Sequence, residues 1–441
     1  MLTLIKDIDA IPGNVGDSDK GPIIIDKKIT LVSWGGKKTI SRSPEFKSVL
    51  FGVTGGGHLI LGDSNIGIVL DGKGIIADGP LIRAEGSPGQ SSSLTLANAD
   101  IINGISKKSS TGSDDAENKY GGGVYLEKSK LIFNKGTISG NYTIAEVSGW
   151  AVAKSYGGGI CAKDNSTITM NGGTISGNYA EATGPGNLAE SRGGGVFADN
   201  YSTFNFKGGE ISGNYSKATS TGGGSTAACA GGGVYAKDNS TITMNGGTIS
   251  GNYAEASSSG NGAESYGGGV FANGSSGFSF MDGEISGNYS KAATNSSGSS
   301  AKSYGGGVFI EQVSSFSGKI ISNNHAVAEC TDASGGGNQA ESQGGGIWVQ
   351  GSGWFPTFAL NGVIVSGNDC ASTALGGGST STSQGGGIYI TAVFLSSVSF
   401  TKVSGTTVSG NTAVTGSQMY LGSGARYGLL DYGPRSYDSP F

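Results

Sequence analysis

The side chains best suited to acid–base or nucleophilic chemistry are few and scattered in this chain. Its two histidines, His58 and His325, lie in distant parts of the sequence. Their spacing gives no support for a Ser-His-Asp or Cys-His arrangement, because such a site needs its members within hydrogen-bond reach. We therefore interpret both histidines as incidental and predict no catalytic residue.

Acidic residues are also spread along the chain. Hydrolysis of a polysaccharide needs two carboxyl groups about 5–9 Å apart. Asp164, Asp199 and Asp238 occupy similar turns in successive repeats, so stacking would bring their carboxylates together. The alternative is a column of solvated turn residues. Because no Cys-x-x-Cys spacing and no GGxGxDxUx nonapeptide occurs, we predict neither a metal ion nor a cofactor.

Composition limits the partners that the chain would bind. The formal net charge is −5, the pI is about 5.2 and no basic patch is present, so we do not expect a nucleic-acid partner. No run of 18 apolar residues predicts a transmembrane segment. Met1–Asp7 lacks the features of a signal peptide, so we expect a chain that starts after its export signal or a fragment of a longer protein.

The four cysteines are Cys161, Cys229, Cys330 and Cys370. Cys330 and Cys370 are predicted to lie in corresponding loops of consecutive repeats. Two interpretations stay open for this pair, namely a disulfide and two inert thiols.

Internal repetition is the dominant feature of the sequence. Glycine triplets followed by Val or Ile recur through the chain and begin at Gly121, Gly157, Gly193, Gly231, Gly267, Gly305, Gly344 and Gly385. A second motif, Ile-Ser-Gly-Asn or a variant of it, accompanies each triplet. Lys163 to Ala182 recurs unchanged as Lys237 to Ala256, which indicates that two alternating repeat types were duplicated as a pair.

Each repeat contains three short strand patterns separated by turn formers. In one repeat they are 158–162, 167–170 and 174–176, and no helical period of 3.6 residues occurs. This pattern predicts an all-β, right-handed parallel β-helix of about twelve coils, with long Gly/Ser/Thr loops on one side. We expect a lead-in at 1–20, coils without glycine triplets at 21–120, glycine-triplet coils at 121–421 and a C-terminal cap at 422–441.

Alternation along the strand after each triplet predicts which side chains face outward. Val or Ile should point into the core and the following aromatic residue should point out. This gives an outer aromatic column of Tyr125, Phe197, Tyr235, Phe271, Phe309, Trp348 and Tyr389, with Cys161 as the exception. Either these rings are exposed and bind sugars or proteins by stacking, or the long loops fold back and cover them.

Two further columns follow from the Ile-Ser-Gly-Asn motif. We expect the asparagines to form a structural amide ladder at one corner of the coil, because their side chains can satisfy backbone groups that a turn leaves unpaired. The ladder would contain Asn141, Asn178, Asn214, Asn252, Asn288, Asn324, Asn368 and Asn411. A tyrosine column follows it, formed by Tyr142, Tyr179, Tyr215, Tyr253 and Tyr289.

The combination of GGG[VI] with ISGN resembles the pectin-lyase-like superfamily, and within it the passenger repeats of bacterial polymorphic outer-membrane proteins and adhesins, which carry GGA[ILV] and FxxN. Here Gly replaces the Ala and Ile-Ser-Gly-Asn replaces Phe-x-x-Asn. The resemblance covers 121 to about 420, and 20–120 less specifically. It implies an extracellular or bacterial cell-surface location.

From these features we expect a non-catalytic surface or secreted module, adhesin-like or structural, that binds glycans or proteins through its aromatic columns and loops. The alternative is a polysaccharide lyase or glycoside hydrolase of the same fold. Open strand edges at the ends of a β-helix also allow end-to-end self-association.

Overall fold

A computed structural model of the chain describes residues 1–10, 21–111, 114–118, 120–312, 315–351, 357–392, 398–402, 405–423, 425–427 and 435–439. These residues form strands, turns and bends, with no helix among them. Strands of successive repeats pair in parallel and in register, as Val124 pairs with Ile160 and Ile160 with Val196. The prediction of an all-β parallel solenoid is confirmed. Within this described part, no helix is long and apolar enough to span a membrane.

The glycine sheet is built mainly from the strands that follow the glycine triplets. It has 13 strands, and the last one is antiparallel to its neighbour while the others are parallel. Its strands are Ile23–Ile25, Phe51–Val53, Ile82–Glu85, Val124–Glu127, Ile160–Lys163, Val196–Ala198, Val234–Ala236, Val270–Ala272, Val308–Ile310, Ile347–Gly351, Ile388–Ala392, Met419–Leu421 and Arg435–Tyr437.

The broad sheet has 23 strands, two in most coils. Its strands are Leu2–Leu4, Ile8–Ala10, Lys28–Ser33, Lys38–Arg42, His58–Leu61, Ile68–Asp71, Ser92–Leu96, Ala99–Ile102, Ser129–Phe133, Thr137–Ser139, Thr167–Met170, Thr174–Ser176, Thr203–Phe206, Glu210–Ser212, Thr241–Ser250, Gly277–Ser286, Ser315–Phe316, Ile320–Ser322, Thr357–Leu360, Ile364–Ser366, Val398–Lys402, Thr407–Ser409 and Ala425–Tyr427.

One apolar core fills the space between the glycine sheet and the broad sheet. Val124 and Leu126 of the glycine sheet point into it, as the alternation predicts, and meet Leu131, Phe133 and Ile138 of the broad sheet. Stacking similar faces lets each coil bury its apolar side against the next one, so one core continues along the axis from Leu4 to Leu421.

The segments predicted as long loops are in fact two further sheets. The tyrosine sheet contains nine strands, which are Ile76–Ala77, Ile105–Ser110, Tyr142–Val147, Tyr179–Gly184, Tyr215–Ser220, Tyr253–Ser258, Tyr289–Thr294, His325–Cys330 and Asp369–Ala374. The return sheet contains eight, which are Ala116–Asn118, Val152–Tyr156, Leu188–Arg192, Thr226–Ala230, Gly262–Tyr266, Ser300–Tyr304, Gln339–Gln343 and Thr380–Gln384. A complete coil therefore has five strands, and the prediction of three strands with a loop is wrong.

The tyrosine sheet and the return sheet together form a thin lateral lobe. Its interior is made of small side chains, such as the buried Ala182 and Ala189, which belong to one cluster. Buried serines join the two sheets, since Ser191 Oγ donates to the carbonyl oxygen of Ala180 at 2.6 Å. Small residues let the two sheets approach closely, so the lobe needs no large apolar side chain.

The stack extends into the segment predicted as its lead-in, and an antiparallel strand follows the last parallel strand of its glycine sheet. Leu2–Leu4 and Ile8–Ala10 pair in parallel with Lys28–Ser33 and Lys38–Arg42, so part of the predicted lead-in belongs to the stack. The solenoid has about nine complete turns, which carry the lateral lobe, whereas about twelve coils were predicted. At the other end, Arg435–Tyr437 pairs antiparallel with the last parallel strand of the glycine sheet.

The glycine triplets are required by the backbone. Gly157 has a φ of +66°, a conformation that residues with a side chain rarely adopt. A Cβ atom at Gly158 would lie 2.4 Å from the carbonyl oxygen of Tyr179. The first position thus needs a left-handed backbone, and the second needs close contact with the tyrosine sheet.

All four cysteines are buried free thiols. Cys330 stands beside Ala374 and Cys370 beside Ala326, four positions apart along paired strands and hence about 13 Å apart. A disulfide cannot span that distance, so the expectation of corresponding positions is wrong.

Thiol labelling tests this arrangement of the cysteines. Burial raises the pKa of the Cys161 and Cys370 thiols to about 12, and the thiolate is the reactive form. We expect Ellman's reagent at pH 8 to label no cysteine of the folded chain within minutes, and to label four after denaturation without a reductant. Detection of only two thiols in the denatured chain would show that a disulfide exists.

Candidate functional site

The outer aromatic column lies where the alternation placed it, but its rings are covered. Phe197 is 0% exposed and Tyr389, the most exposed ring of the predicted column, 8%. The column stays stacked along the axis, with ring centroids 4.7 Å apart for Phe271 and Phe309 and 4.2 Å for Phe309 and Trp348. An exposed column for stacking on sugars is therefore wrong, and the alternative of a column covered by the returning chain is what the structure shows.

The cover comes from residues that end strands of the return sheet and stand directly before a glycine triplet. Tyr156 stacks on Phe197 of the next coil, with centroids 4.8 Å apart and planes 18° apart. Arg192 places its guanidinium carbon 5.2 Å from the centroid of Tyr235. In each case a planar group covers the ring of the following coil.

Further along the stack the same position is again aromatic. Tyr304 stacks on Trp348 at 5.7 Å and 16°, while Tyr266 meets Phe309 edge-on at 5.3 Å and 66°. Cys161, the exception in the column, is fully buried in this aromatic cluster together with Tyr156.

One coil lacks the covering group. Ala230 pairs in register with Arg192 on one side and Tyr266 on the other, and its methyl group leaves a cavity of about 290 Å³. Phe271 and Phe309 line this cavity, and so do Arg192 and Tyr266. The small residues of a single coil thus leave a cavity beside the aromatic column, whose rings Phe271 and Phe309 stay buried.

Polar groups border the cavity. The Arg192 guanidinium forms an ion pair with Glu190, in which Nε lies 2.7 Å from Oε1. Asn273 and Glu311 lie on the opposite wall and are partly exposed, so the cavity reaches the surface. Burial raises the pKa of the Glu311 carboxyl group above its ordinary value, against a backbone N–H of Gly274 that donates to it at 2.6 Å. The cavity therefore combines aromatic walls with a guanidinium and a carboxyl group.

The asparagines of the repeat motif form one buried column. Asn178 Nδ2 donates to Asn214 Oδ1 at 2.9 Å and to the carbonyl oxygen of Ile138 at 2.8 Å, while the backbone N–H of Asn178 donates to Asn214 Oδ1 at 3.1 Å. The same contacts recur from Asn141 to Asn411. The amides thus satisfy backbone groups of the corner and link each coil to the next.

Two elements of this corner were missed in the sequence. Gln418 ends the ladder, since its Oε1 accepts from Asn411 Nδ2 at 3.0 Å and its Nε2 donates to the Asn411 carbonyl oxygen at 3.2 Å. A serine column runs beside the broad sheet, in which the backbone N–H of Ser166 donates to Ser202 Oγ at 3.2 Å. The recurrence of serine before each Thr-x-Thr-like strand was the signal that could have revealed it.

The tyrosine column lies on the outer face of the lateral lobe and is partly exposed. Its rings stack on each other, with centroids 4.7 Å apart for Tyr179 and Tyr215 and 5.1 Å for Tyr215 and Tyr253. Because the ring faces cover one another, this column presents ring edges and hydroxyl groups to solvent. A sugar ring would therefore find few open aromatic faces along it.

Among the described residues, neither histidine is hydrogen-bonded to a turn carboxylate such as Asp199. His325 Nδ1 is hydrogen-bonded to Asp369 at the end of the tyrosine column, and His58 Nε2 lies 2.8 Å from Thr95 Oγ1. Nor does any cluster of three or more His, Cys, Asp or Glu that could hold a metal ion occur in the part of the chain that was searched.

The predicted equivalence of Asp164, Asp199 and Asp238 is wrong by one position. Asp199 lies between Lys163 and Lys237, with nitrogen–oxygen distances of 3.8 and 3.4 Å. Lysine and aspartate therefore alternate along this column of turn residues, and its carboxylates do not lie next to one another. Burial raises the pKa of the Asp199 carboxyl group, and the two lysines oppose that shift.

Because the chain has no match among known proteins, its function is inferred from its architecture and from the cavity. No protein-family model, no curated protein and no solved structure matches this chain.

Proposed function

We propose that this chain is a non-catalytic module, secreted or exposed at a cell surface, that binds a glycan or a protein. The cavity at Ala230 carries the proposal, because it reaches the surface and its walls include the partly exposed rings of Tyr266 and Tyr304 beside the buried aromatic column. Pockets with apolar walls and a few polar groups are the usual binding sites of proteins.

The arrangement of charges favours binding over hydrolysis. Among the described residues that line the cavity, Glu311 is the carboxylate and Arg192 the cation. Hydrolysis of a glycosidic bond uses a second carboxyl group at about 5–9 Å. The resemblance of the repeats to adhesin passengers of the pectin-lyase-like superfamily supports a location outside the cell.

A paired assay of binding and turnover tests this proposal. The full chain is incubated with pectins, alginates and host glycans, and new reducing ends and unsaturated uronates are measured. In parallel, its binding to immobilised glycans and proteins is compared with that of Ala230→Tyr, which fills the cavity. We expect no turnover, and binding that the substitution reduces at least about 10-fold, which corresponds to about 1.4 kcal/mol. Robust turnover of any polysaccharide would contradict the proposal.

A further inference from the structure

The cavity has the place of a missing planar side chain. Its neighbours in the same column, Arg192 and Tyr266, each set a planar group against the aromatic column. By that pattern the group missing at Ala230 would lie between Arg192 and Tyr266. It would meet the edge of Phe271, because the two faces of that ring are stacked on Tyr235 and Phe309. A ligand that restores the pattern must therefore bring a flat group to this position.

The tyrosines that cover the aromatic column also have the same kind of hydrogen-bond partner. Each hydroxyl group donates to a glutamate of the return sheet, at 3.1 Å from Tyr156 to Glu190 and at 2.8 Å from Tyr266 to Glu264. Tyr304 donates to Glu341 at 2.8 Å. A carboxylate next to the ring is thus part of the environment that this column provides for a phenol.

A carboxylate still lines the cavity at Ala230, although it comes from Glu311, two coils further along the stack. Position 228, where neighbouring coils have Glu190 and Glu264, is alanine, but Glu311 lines the cavity from the opposite wall. The guanidinium of Arg192 lies at the same cavity, so a second cation would be repelled there. A ring that carries a neutral hydroxyl donor fits these surroundings.

We propose that the cavity at Ala230 binds the phenol ring of a tyrosine side chain supplied by a partner protein. The inference rests on the proposed binding function and names the ligand group of the same site. The volume of about 290 Å³ suits one ring better than a chain of sugars, because drug-sized ligands occupy about 300–1,000 Å³. A partner protein is favoured over a free phenol because one buried ring alone binds only in about the millimolar range.

The experiment uses capped amino acids as probes of the full chain. N-acetyl-tyrosine amide, N-acetyl-phenylalanine amide and N-acetyl-cyclohexylalanine amide are titrated and followed by NMR. We expect the tyrosine amide to bind with a millimolar Kd, the phenylalanine amide about 10-fold more weakly because it lacks the hydroxyl donor, and the non-planar ring not to bind. Equal binding of the tyrosine and cyclohexylalanine amides would overturn the proposal.

Substitutions at Ala230 test whether the tyrosine amide binds in this cavity, and their melting temperatures show whether the variants fold. Ala230→Tyr should abolish binding of the tyrosine amide, and so should Ala230→Gln, which places there the residue type found at 343 and 384. Thr380→Tyr, at an exposed position of the return sheet, should leave binding unchanged. The cavity is not the binding site if both Ala230 variants still bind the tyrosine amide and melt at or above the temperature of the parent chain.

Two outcomes separate this inference from the proposed function. Binding of p-cresol without binding of the tyrosine amide would overturn the protein source of the ring. A glycan whose binding depends on Ala230, with no binding of the tyrosine amide, would overturn the inference and leave the proposed function standing. Turnover of a polysaccharide would overturn the proposed function itself.

Discussion

Replacing Asn252 with alanine is expected to lower the free energy of unfolding by about 3–6 kcal/mol. Asn252 is 0% exposed and stands in the middle of the amide ladder. Its Oδ1 accepts from the backbone N–H and from Nδ2 of Asn214 at 3.0 and 2.9 Å, and its Nδ2 donates to the Ile211 carbonyl oxygen at 2.9 Å. Alanine would leave these buried groups without partners, and each such group costs about 1–3 kcal/mol.

Asn205→Ala is the matched control, since Asn205 lies in the preceding coil on the partly exposed face of the broad sheet, paired with Thr243 of the coil of Asn252. A surface substitution of this kind changes stability by about 0.5 kcal/mol. Guanidinium unfolding followed by far-ultraviolet circular dichroism measures both variants. Equal unfolding midpoints for the two would show that the ladder has no special part in stability.

Deleting one repeat is expected to destabilise the chain more than deleting two. Removal of residues 199–236 joins Ala198 to Lys237 and brings like charges together in three columns. The new neighbours are Lys163 with Lys237, Glu181 with Glu255 and Glu190 with Glu264. Like charges directly opposite each other in a sheet are destabilising, and the attraction to Asp199 is lost as well. We expect a loss of about 2–4 kcal/mol from the three columns together.

Removal of residues 163–236 is the control for this deletion. It joins Ala162 to Lys237, and because Lys237 to Ala256 repeats Lys163 to Ala182, the contacts to the preceding coil are kept. In a solenoid each added repeat contributes stability, so a simple dependence on length predicts that this shorter chain is the less stable of the two. We expect it instead to have the higher melting temperature at low salt, with the difference shrinking in about 1 M NaCl as the charges are screened. The opposite order would contradict the importance of charge alternation.

The parallel stack and its core could be predicted because the glycine triplets and the apolar alternation repeat so regularly. The lateral lobe could not, since its strands consist of residues that also dominate loops. Tyr179 to Thr183 alternates small inward with polar outward residues, which is a strand pattern of period two. Alanine and serine give that pattern little weight, because strands usually favour β-branched and aromatic residues.

The candidate site depends on which residues of neighbouring coils lie side by side, and the sequence of a single repeat does not show this. Alternation correctly turned the rings of the aromatic column away from the core. Their burial depends on the residue before each glycine triplet, and that residue varies from Tyr156 to Arg192 to Ala230. Only the stacking of the return sheet over the glycine sheet shows that one alanine leaves a cavity beside the column.

The amide ladder also has a direction. The side-chain Nδ2 of every asparagine from Asn141 onward donates to the amide oxygen of the next coil, and its Oδ1 accepts from the previous coil. All amides of the column therefore point the same way along the axis. If two stacks met by the same end, the last amides of their ladders would place two donors, or two acceptors, opposite each other. Only a head-to-tail meeting keeps the amides paired, and the ladder therefore sets the polarity with which one coil can be laid upon another.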